Sequence, residues 1–127
     1  MLGGIGCDLC AIGRMERAVA REHFCERVFT VRELAYCRSR GAQQYASLAA
    51  RFAAKEALLK ALGTGLRQGR LQEIEVVQDG LGQPGLRLAG TIGRLAAERG
   101  VRRIALSLTH EKEYAAAFVV LEVEKCD

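Results

Sequence analysis

The sequence predicts an α+β fold in which an antiparallel sheet packs against one long central helix within a single domain. Small and bulky residues alternate along several short segments, which is typical of strands. The segment 43–62 is rich in alanine and leucine and contains no helix breaker. Short turns at residues 79–84 and 111–113 connect neighbouring strands, and such close hairpins favour antiparallel pairing.

The first predicted strand covers residues 4–9. Its side chains alternate between two faces: Ile5, Cys7 and Leu9 on one, and Gly4, Gly6 and Asp8 on the other. The two glycines leave room beside the Asp8 carboxylate. We interpret Cys7, on the bulkier face, as a core position.

Two short helices are predicted next. The first covers residues 12–21, and arginines at i, i+3 and i+7 form a row along one side of it: Arg14, Arg17 and Arg21. The second covers residues 31–37, with Thr30 as N-cap and Glu33 at the reciprocal position of a capping box.

The longest predicted helix covers residues 43–62 and ends at Gly63, which supplies a left-handed cap. Its bulky side chains form one stripe and its alanines form nearly the opposite face, so both sides can pack closely. Lys55 and Glu56 lie on or beside the bulky stripe, and Lys60 lies one turn beyond Glu56. Because burial of an unpaired charge is costly, these side chains need a partner or a ligand.

The remaining sequence is predicted to form two hairpins separated by a helix. The helix covers residues 91–98 and is closed by Gly100. The paired strands of the hairpins are residues 73–78 with 86–88, and residues 103–110 with 114–122.

Composition indicates one globular domain over residues 1–127, with half of the residues hydrophobic and a single proline. The longest apolar run, residues 114–121, is far too short to cross a bilayer, so we expect a cytoplasmic protein without membrane contact. Free thiols and no disulfides are expected, since the cysteines are odd in number and follow no framework: Cys7, Cys10, Cys25, Cys37 and Cys126. The net charge of +4 favours an anionic partner without distinguishing nucleic acid, phosphate ligand and acidic protein.

Asp8 and Glu56 are the first candidates for chemistry. Two carboxylates without a dense histidine or cysteine cluster suit a hard cation such as Mg²⁺, which fills its other positions with water and phosphate. Each acid also has a structural interpretation. Asp8 could cap the helix near Ile12, and Glu56 could form an i,i+4 ion pair with Lys60.

Three further features are ambiguous by themselves. Cys7 and Cys10 form a C-x-x-C without a second pair, which is weak support for zinc or redox chemistry. His110 ends a strand next to a charged turn, where a structural or surface histidine is also common. Residues 63–65 follow a helix, whereas the glycines of phosphate-binding loops precede the helix that they serve. Residues 63–65 therefore indicate a helix cap.

Eight blocks carry a resemblance: GIGCDL at 4–9, FCERVFT at 24–30, RFAAKEA at 51–57, KALGTG at 60–65, IEV at 74–76, GQP at 82–84, SLTH at 107–110 and YAAA at 114–117. Arg14 after the first block and Glu33 after the second are part of the same match. Taken together, these segments resemble one family, the holo-[acyl-carrier-protein] synthases, which are small bacterial phosphopantetheinyl transferases, and the blocks occur in family order. The segment 67–72, together with Gly85 and Arg87, matches no motif.

The resemblance implies transfer of the 4′-phosphopantetheine arm of coenzyme A to a serine of apo acyl carrier protein, in support of fatty acid biosynthesis. It implies that Asp8 and Glu56 hold Mg²⁺ against the coenzyme A pyrophosphate. By the same resemblance, Lys60 faces that pyrophosphate, and His110 either contacts phosphate or helps to deprotonate the acceptor serine.

The resemblance also implies softer assignments around the donor. Arg51 and Lys55 are expected to contact its 3′-phosphate, Gly65 to let the backbone approach it, and Pro84 to lie near the adenine. The arginine row is expected to bind the acidic carrier protein. The family further implies a homotrimer with active sites between subunits, so that Asp8 and Glu56 complete a site with a neighbour's residues.

The alternative is a non-catalytic module whose basic row binds nucleic acid or an acidic protein. Such a module would bind polynucleotide in a strongly salt-dependent manner. Aromatic residues make up only 6% of the chain and offer few stacking platforms for bases. We therefore expect no nucleic-acid partner.

Overall fold

The structure, a computed structural model, describes residues 1–65 and 69–124. Cys126 and residues 67 and 68 of the unmatched segment lie outside the described residues. The helices are α1 (Ile12–Val19), α2 (Phe24–Val28), α3 (Val31–Arg38), α4 (Gln44–Leu62) and α5 (Gly90–Glu98). The strands are β1 (Leu2–Ala11), β2 (Ile74–Gln78), β3 (Pro84–Leu88), β4 (Val101–His110) and β5 (Tyr114–Val123).

The strands form two antiparallel sheets, which confirms the predicted α+β class. One sheet has the order β1-β5-β4, and the other is the hairpin of β2 and β3. In the larger sheet, Asp8 of β1 lies opposite Ala117, which lies opposite Leu108. His110 lies opposite Ala115, which lies opposite Cys10 of β1. The central strand is therefore β5, and β1 and β4 form the two edges.

Helix α4 packs across one face of this sheet, and the glycines of β1 make that packing possible. A Cβ added at Gly6 would lie 2.0 Å from the carbonyl oxygen of Ala57, and one added at Gly4 would lie 2.1 Å from that of Ala61. The alanines on the facing side of α4 are buried. Small residues on both elements thus bring the helix and strand backbones into direct contact.

The opposite face of the sheet, which we call the outer face, is exposed and largely apolar. It carries Ile5, Cys7 and Leu9 of β1 together with Tyr114 and Phe118 of β5. Ile5 is 74% exposed and Phe118 is 49% exposed. The interpretation of Cys7 as a core position is therefore wrong, because the glycine face, and not the bulky face, receives α4.

The first helical region differs from its prediction. Helix α1 ends at Val19, so Arg21 lies beyond it and does not continue the row of Arg14 and Arg17 along one helix. The chain turns at His23, which adopts a left-handed conformation with φ 66°, and the unpredicted α2 follows. A helix of only five residues is too short to show a repeating apolar face.

The other helices agree with their predicted positions. Thr30 Oγ1 accepts a hydrogen bond from the Glu33 amide at 3.2 Å, and Glu33 Oε1 accepts one from the Thr30 amide at 2.9 Å, which confirms the capping box. Helix α4 ends at Leu62, and Gly63 caps it in a left-handed conformation with φ 74°, as predicted. Among the described residues, no helix combines the length and apolar character that a membrane crossing requires.

Candidate active site

Asp8 extends from edge strand β1 toward α4, where it meets Lys60. The Lys60 ammonium donates to Asp8 Oδ1 at 2.9 Å and to the Cys7 carbonyl oxygen at 3.0 Å. Asp8 does not cap α1, because Ala11 holds the N-cap position and no side chain bonds to the helix there. The carboxylate is mostly shielded, whereas the lysine side chain is largely exposed.

Glu56 lies one turn before Lys60 on α4 and is half-buried. Burial raises the pKa of Glu56 most, the negative charge of Asp8 raises it further, and the charge of Lys60 opposes both. Lys60 forms its ion pair with Asp8 instead of the i,i+4 pair with Glu56. Two carboxylates that are distant in sequence, those of Asp8 and Glu56, therefore lie close enough for their charges to interact.

This pair has the chemistry that Mg²⁺ requires. Mg²⁺ binds through one or two carboxylates and keeps several positions for water and phosphate. Burial raises the pKa of Glu56 most and the charge of Asp8 raises it further, and a divalent cation would relieve this repulsion between the two carboxylates. The part of the chain that the structure describes contains no group of three or more histidine, cysteine or acidic residues placed to hold a metal ion.

Cys7 and Cys10 do not act together in this structure. Residues three apart in a strand point to opposite faces, and Cys7 is exposed on the outer face whereas Cys10 is half-buried. Each described cysteine carries a free thiol: Cys7, Cys10, Cys25 and Cys37. The C-x-x-C spacing therefore has no zinc or redox geometry here.

Arg51 and His110 form a second group, on the side of β4. They line a cleft of about 280 Å³ together with Arg40. Arg51 is only 5% exposed, and its guanidinium lies 4.4 Å from the centre of the Tyr36 ring. Its Nη1 donates to Ser47 Oγ at 2.9 Å, whereas its buried Nε has no partner within the described residues.

The two groups are separate within one chain. Asp8 lies on β1 and His110 on β4, at opposite edges of a three-stranded sheet. Two strand spacings separate their backbones by about 10 Å, and their positions are also offset along the strands. A single chain thus presents an acidic group with Lys60 at one edge and a basic cleft with His110 at the other.

Lys55 has a different environment from the one expected. Its ammonium is fully buried and donates to Glu33 Oε1 at 2.8 Å, to the Leu71 carbonyl at 3.1 Å and to the Ile74 carbonyl. Burial lowers the pKa of Lys55, and the charge of Glu33 opposes that shift. These three acceptors use every ammonium proton, so the geometry assigns Lys55 a structural role and disfavours contact with a phosphate.

The remaining candidates lie at accessible positions. A Cβ at Gly65 would meet no atom of the described residues within 4 Å, which leaves its backbone open to a ligand on that side. Pro84 is half-buried and pairs with Gln78 at the start of β3. The three arginines of the predicted row are exposed, and the Arg21 guanidinium lies 5.5 Å from the centre of the Phe24 ring.

Three residues that line the same cleft as Arg51 were not predicted from the sequence: Arg40, Tyr36 and Ser47. Tyr36 lies on α3, and its stacking on Arg51 depends on how α3 packs against α4. Arg40 follows α3 outside any motif, so no local pattern distinguishes it from other surface arginines. A helical periodicity does place Ser47 one turn before Arg51, and that spacing was available from the sequence.

The amino-acid sequence is similar to one family model and to individual proteins whose names agree with that family. The family model of the 4′-phosphopantetheinyl transferase superfamily matches residues 4–119, a range that contains every candidate site residue. The chain is 50% identical over 124 residues to a holo-[acyl-carrier-protein] synthase of Halorhodospira halophila, covering 95% of this chain and 98% of the relative. It is 48% identical over 127 residues to that of Geotalea daltonii, covering 96% and 99%.

Solved structures show the same likeness in three dimensions. The holo-[acyl-carrier-protein] synthase of Neisseria meningitidis matches with a TM-score of 0.85 and 35% identity, over 96% of this chain and 99% of that one. A holo-(acyl-carrier-protein) synthase of Bacillus anthracis, in complex with CoA (3′,5′-ADP), matches with a TM-score of 0.81 and 35% identity, over 98% and 99%. Sequence and fold therefore agree over nearly the full length.

Proposed function

This chain belongs to the 4′-phosphopantetheinyl transferase superfamily, and from that premise we propose that it is a holo-[acyl-carrier-protein] synthase. It transfers 4′-phosphopantetheine from coenzyme A to a serine of apo acyl carrier protein and releases adenosine 3′,5′-bisphosphate. The observation that carries this proposal is the acidic pair of Asp8 and Glu56 with Lys60 beside it, in a chain half identical to such a synthase.

In the proposed mechanism, Asp8 and Glu56 would hold Mg²⁺ and so orient the donor pyrophosphate. Bound there, Mg²⁺ would supply Lewis-acid stabilisation of the charge on the attacked phosphate and on the leaving group. Lys60 supplies a further positive charge to the same phosphates, from a side chain exposed enough to reach them. His110 contacts phosphate or accepts the serine proton through water, and Arg51 contacts the 3′-phosphate of the donor.

We propose that Gly65 and Pro84 border the donor. The open space at Gly65 supports close approach of the ligand to the backbone. Pro84 lies at the start of β3, next to an exposed turn that an adenine could reach. Lys55 is not part of the proposed donor site, because its protons are already used.

We further propose a homotrimer whose sites form between subunits. Two observations support it. The outer face is an exposed, largely apolar surface of a kind that usually marks a protein interface. The acidic group with Lys60 and the basic cleft with His110 lie at opposite sheet edges, so that a neighbour's basic cleft can complete the acidic group.

The protein partner is proposed to be an acidic acyl carrier protein, bound through Arg14, Arg17 and Arg21. Their exposure supports this assignment, although Arg21 approaches from the turn after α1 and not from the helix itself. Such a synthase would serve fatty acid biosynthesis in the cytoplasm, with residues 1–127 acting as one domain.

The test is a carrier-modification assay. The protein is incubated with Mg²⁺, coenzyme A and several apo carrier proteins, and intact-mass spectrometry follows addition of the pantetheinyl group to the carrier serine. Glu56→Ala is expected to lower the rate by on the order of a hundredfold or more, because one metal carboxylate is lost. Glu124→Ala, at an exposed position, is the matched control. No mass gain on any carrier would refute the proposed activity.

A further inference from the structure

Lys60 occupies the position next to the metal carboxylate in this structure. Its ammonium lies 2.9 Å from Asp8 Oδ1 and 3.0 Å from the Cys7 carbonyl oxygen. Lys60 and Glu56 lie one turn apart on α4, so the ammonium also enters the field that the two acids share. Lys60 is thus a cation placed on the carboxylate that the proposed function assigns to Mg²⁺.

An ammonium and a divalent cation cannot both bind one carboxylate at full strength. Each draws on the same negative charge, and their like charges repel at short distance. A metal ion that binds Asp8 must therefore weaken or break the contact with Lys60. The phosphates of the proposed donor would offer that ammonium an alternative anionic partner.

The Lys60 side chain is free to move without unpacking the protein. It is 57% exposed, and a lysine carries its charge on a flexible four-carbon chain. Asp8, in contrast, lies on a strand whose backbone is in contact with α4. Displacement of Lys60 consequently costs its contacts with Asp8 and Cys7 and little else.

We propose that Lys60 competes with the metal ion for Asp8. When the donor binds, its phosphates draw the Lys60 ammonium away from Asp8. This inference rests on the proposed function for the identity of the donor. Lys60 would then couple the binding of the metal to the binding of coenzyme A. Coenzyme A removes the ammonium from Asp8 and so favours the metal, and the metal displaces the ammonium and so favours its contact with coenzyme A. Such coupling is reciprocal between the two ligands.

The first test measures Mn²⁺ affinity without coenzyme A, by electron paramagnetic resonance of the free ion. Lys60→Met is expected to bind Mn²⁺ about three- to tenfold more tightly than the unchanged protein, because both the competing donor and its charge are lost. Lys60→Arg retains the charge and should remain close to the unchanged protein. Lys112→Met removes an exposed lysine elsewhere and is the matched control. Equal or weaker binding by Lys60→Met would overturn the inference.

The second test repeats the titration with saturating coenzyme A and no carrier protein, so that no turnover occurs. Coenzyme A should increase Mn²⁺ affinity by a larger factor in the unchanged protein than in Lys60→Met. Equal factors would contradict the coupling. If the unchanged protein modifies a carrier but Lys60→Met does not bind Mn²⁺ more tightly, the inference fails and the proposed function stands. If Lys60→Met binds Mn²⁺ more tightly but the unchanged protein modifies no carrier, the competition at Asp8 stands and the proposed function fails.

Discussion

At the scale of single residues, the buried pair of Glu33 and Lys55 connects three elements. Glu33 caps α3 through Thr30, accepts from Lys55 Nζ at 2.8 Å and accepts from the Val76 amide at 2.9 Å. Lys55 adds bonds to two carbonyls of the segment that leads into β2. Both charges are fully shielded from water, so neither can lose its partner without a large desolvation cost.

Lys55→Met should lower the free energy of unfolding by about 3–5 kcal/mol, because the Glu33 charge would stay buried without its partner. Urea unfolding at a fixed protomer concentration measures this loss. Glu33→Gln combined with Lys55→Met should recover part of it, since glutamine keeps the capping acceptor and removes the charge. A loss below about 1 kcal/mol in Lys55→Met would show that water reaches the pair.

At the scale of elements, the contact between β1 and α4 positions the acidic group. Asp8 belongs to β1, and Glu56 and Lys60 belong to α4, so their mutual distances depend on how closely these two elements approach. Gly4 and Gly6 determine that approach, because their missing side chains leave room for the helix backbone. The glycine spacing next to Asp8 is therefore part of the construction of the site.

Gly6→Ala should lower the unfolding free energy by about 2 kcal/mol or more, since its Cβ would lie 2.0 Å from the rigid Ala57 carbonyl oxygen. It should also weaken Mn²⁺ binding by moving Asp8 away from Glu56. Thermal unfolding and the metal titration measure the two effects. Gly85→Ala is the control, because its Cβ would meet no described atom within 4 Å and stability should change little or rise slightly. Equal stability of both variants would contradict the close contact.

At the scale of the whole molecule, one sheet has two unlike faces. The inner face is covered by α4, and the outer face exposes Ile5, Leu9 and Phe118 to solvent in the isolated chain. Large apolar side chains in one contiguous area favour association with a partner surface. The proposed trimer gives this face a partner and brings together the two groups of site residues.

Phe118→Glu should convert the proposed trimer to monomer, because it would bury one carboxylate from each subunit in an apolar interface. The fold of each chain should persist, since Phe118 is half exposed and points away from α4. Light scattering after size exclusion reports the mass, and the carrier-modification assay should show loss of transfer with it. Leu81→Glu, at a turn residue that is 96% exposed, is the control and should stay trimeric. A Phe118→Glu variant that remains trimeric would exclude the outer face as the interface.

Sequence alone determined most of the fold and named the acidic pair. The capping box of α3, the extent of α4 and both hairpins followed from signals a few residues apart, which do not depend on tertiary contacts. Asp8 and Glu56 were identified through motifs in the same way.

Tertiary structure alone decided which residues meet. In the folded chain the glycine face of β1 points inward and α1 ends before Arg21. Lys55 pairs with Glu33 across 22 residues of sequence, and Lys60 pairs with Asp8 across 52. The physical reason is that a charged side chain takes its partner from whatever packing places within about 3 Å. Neither periodicity nor spacing along the chain contains that information.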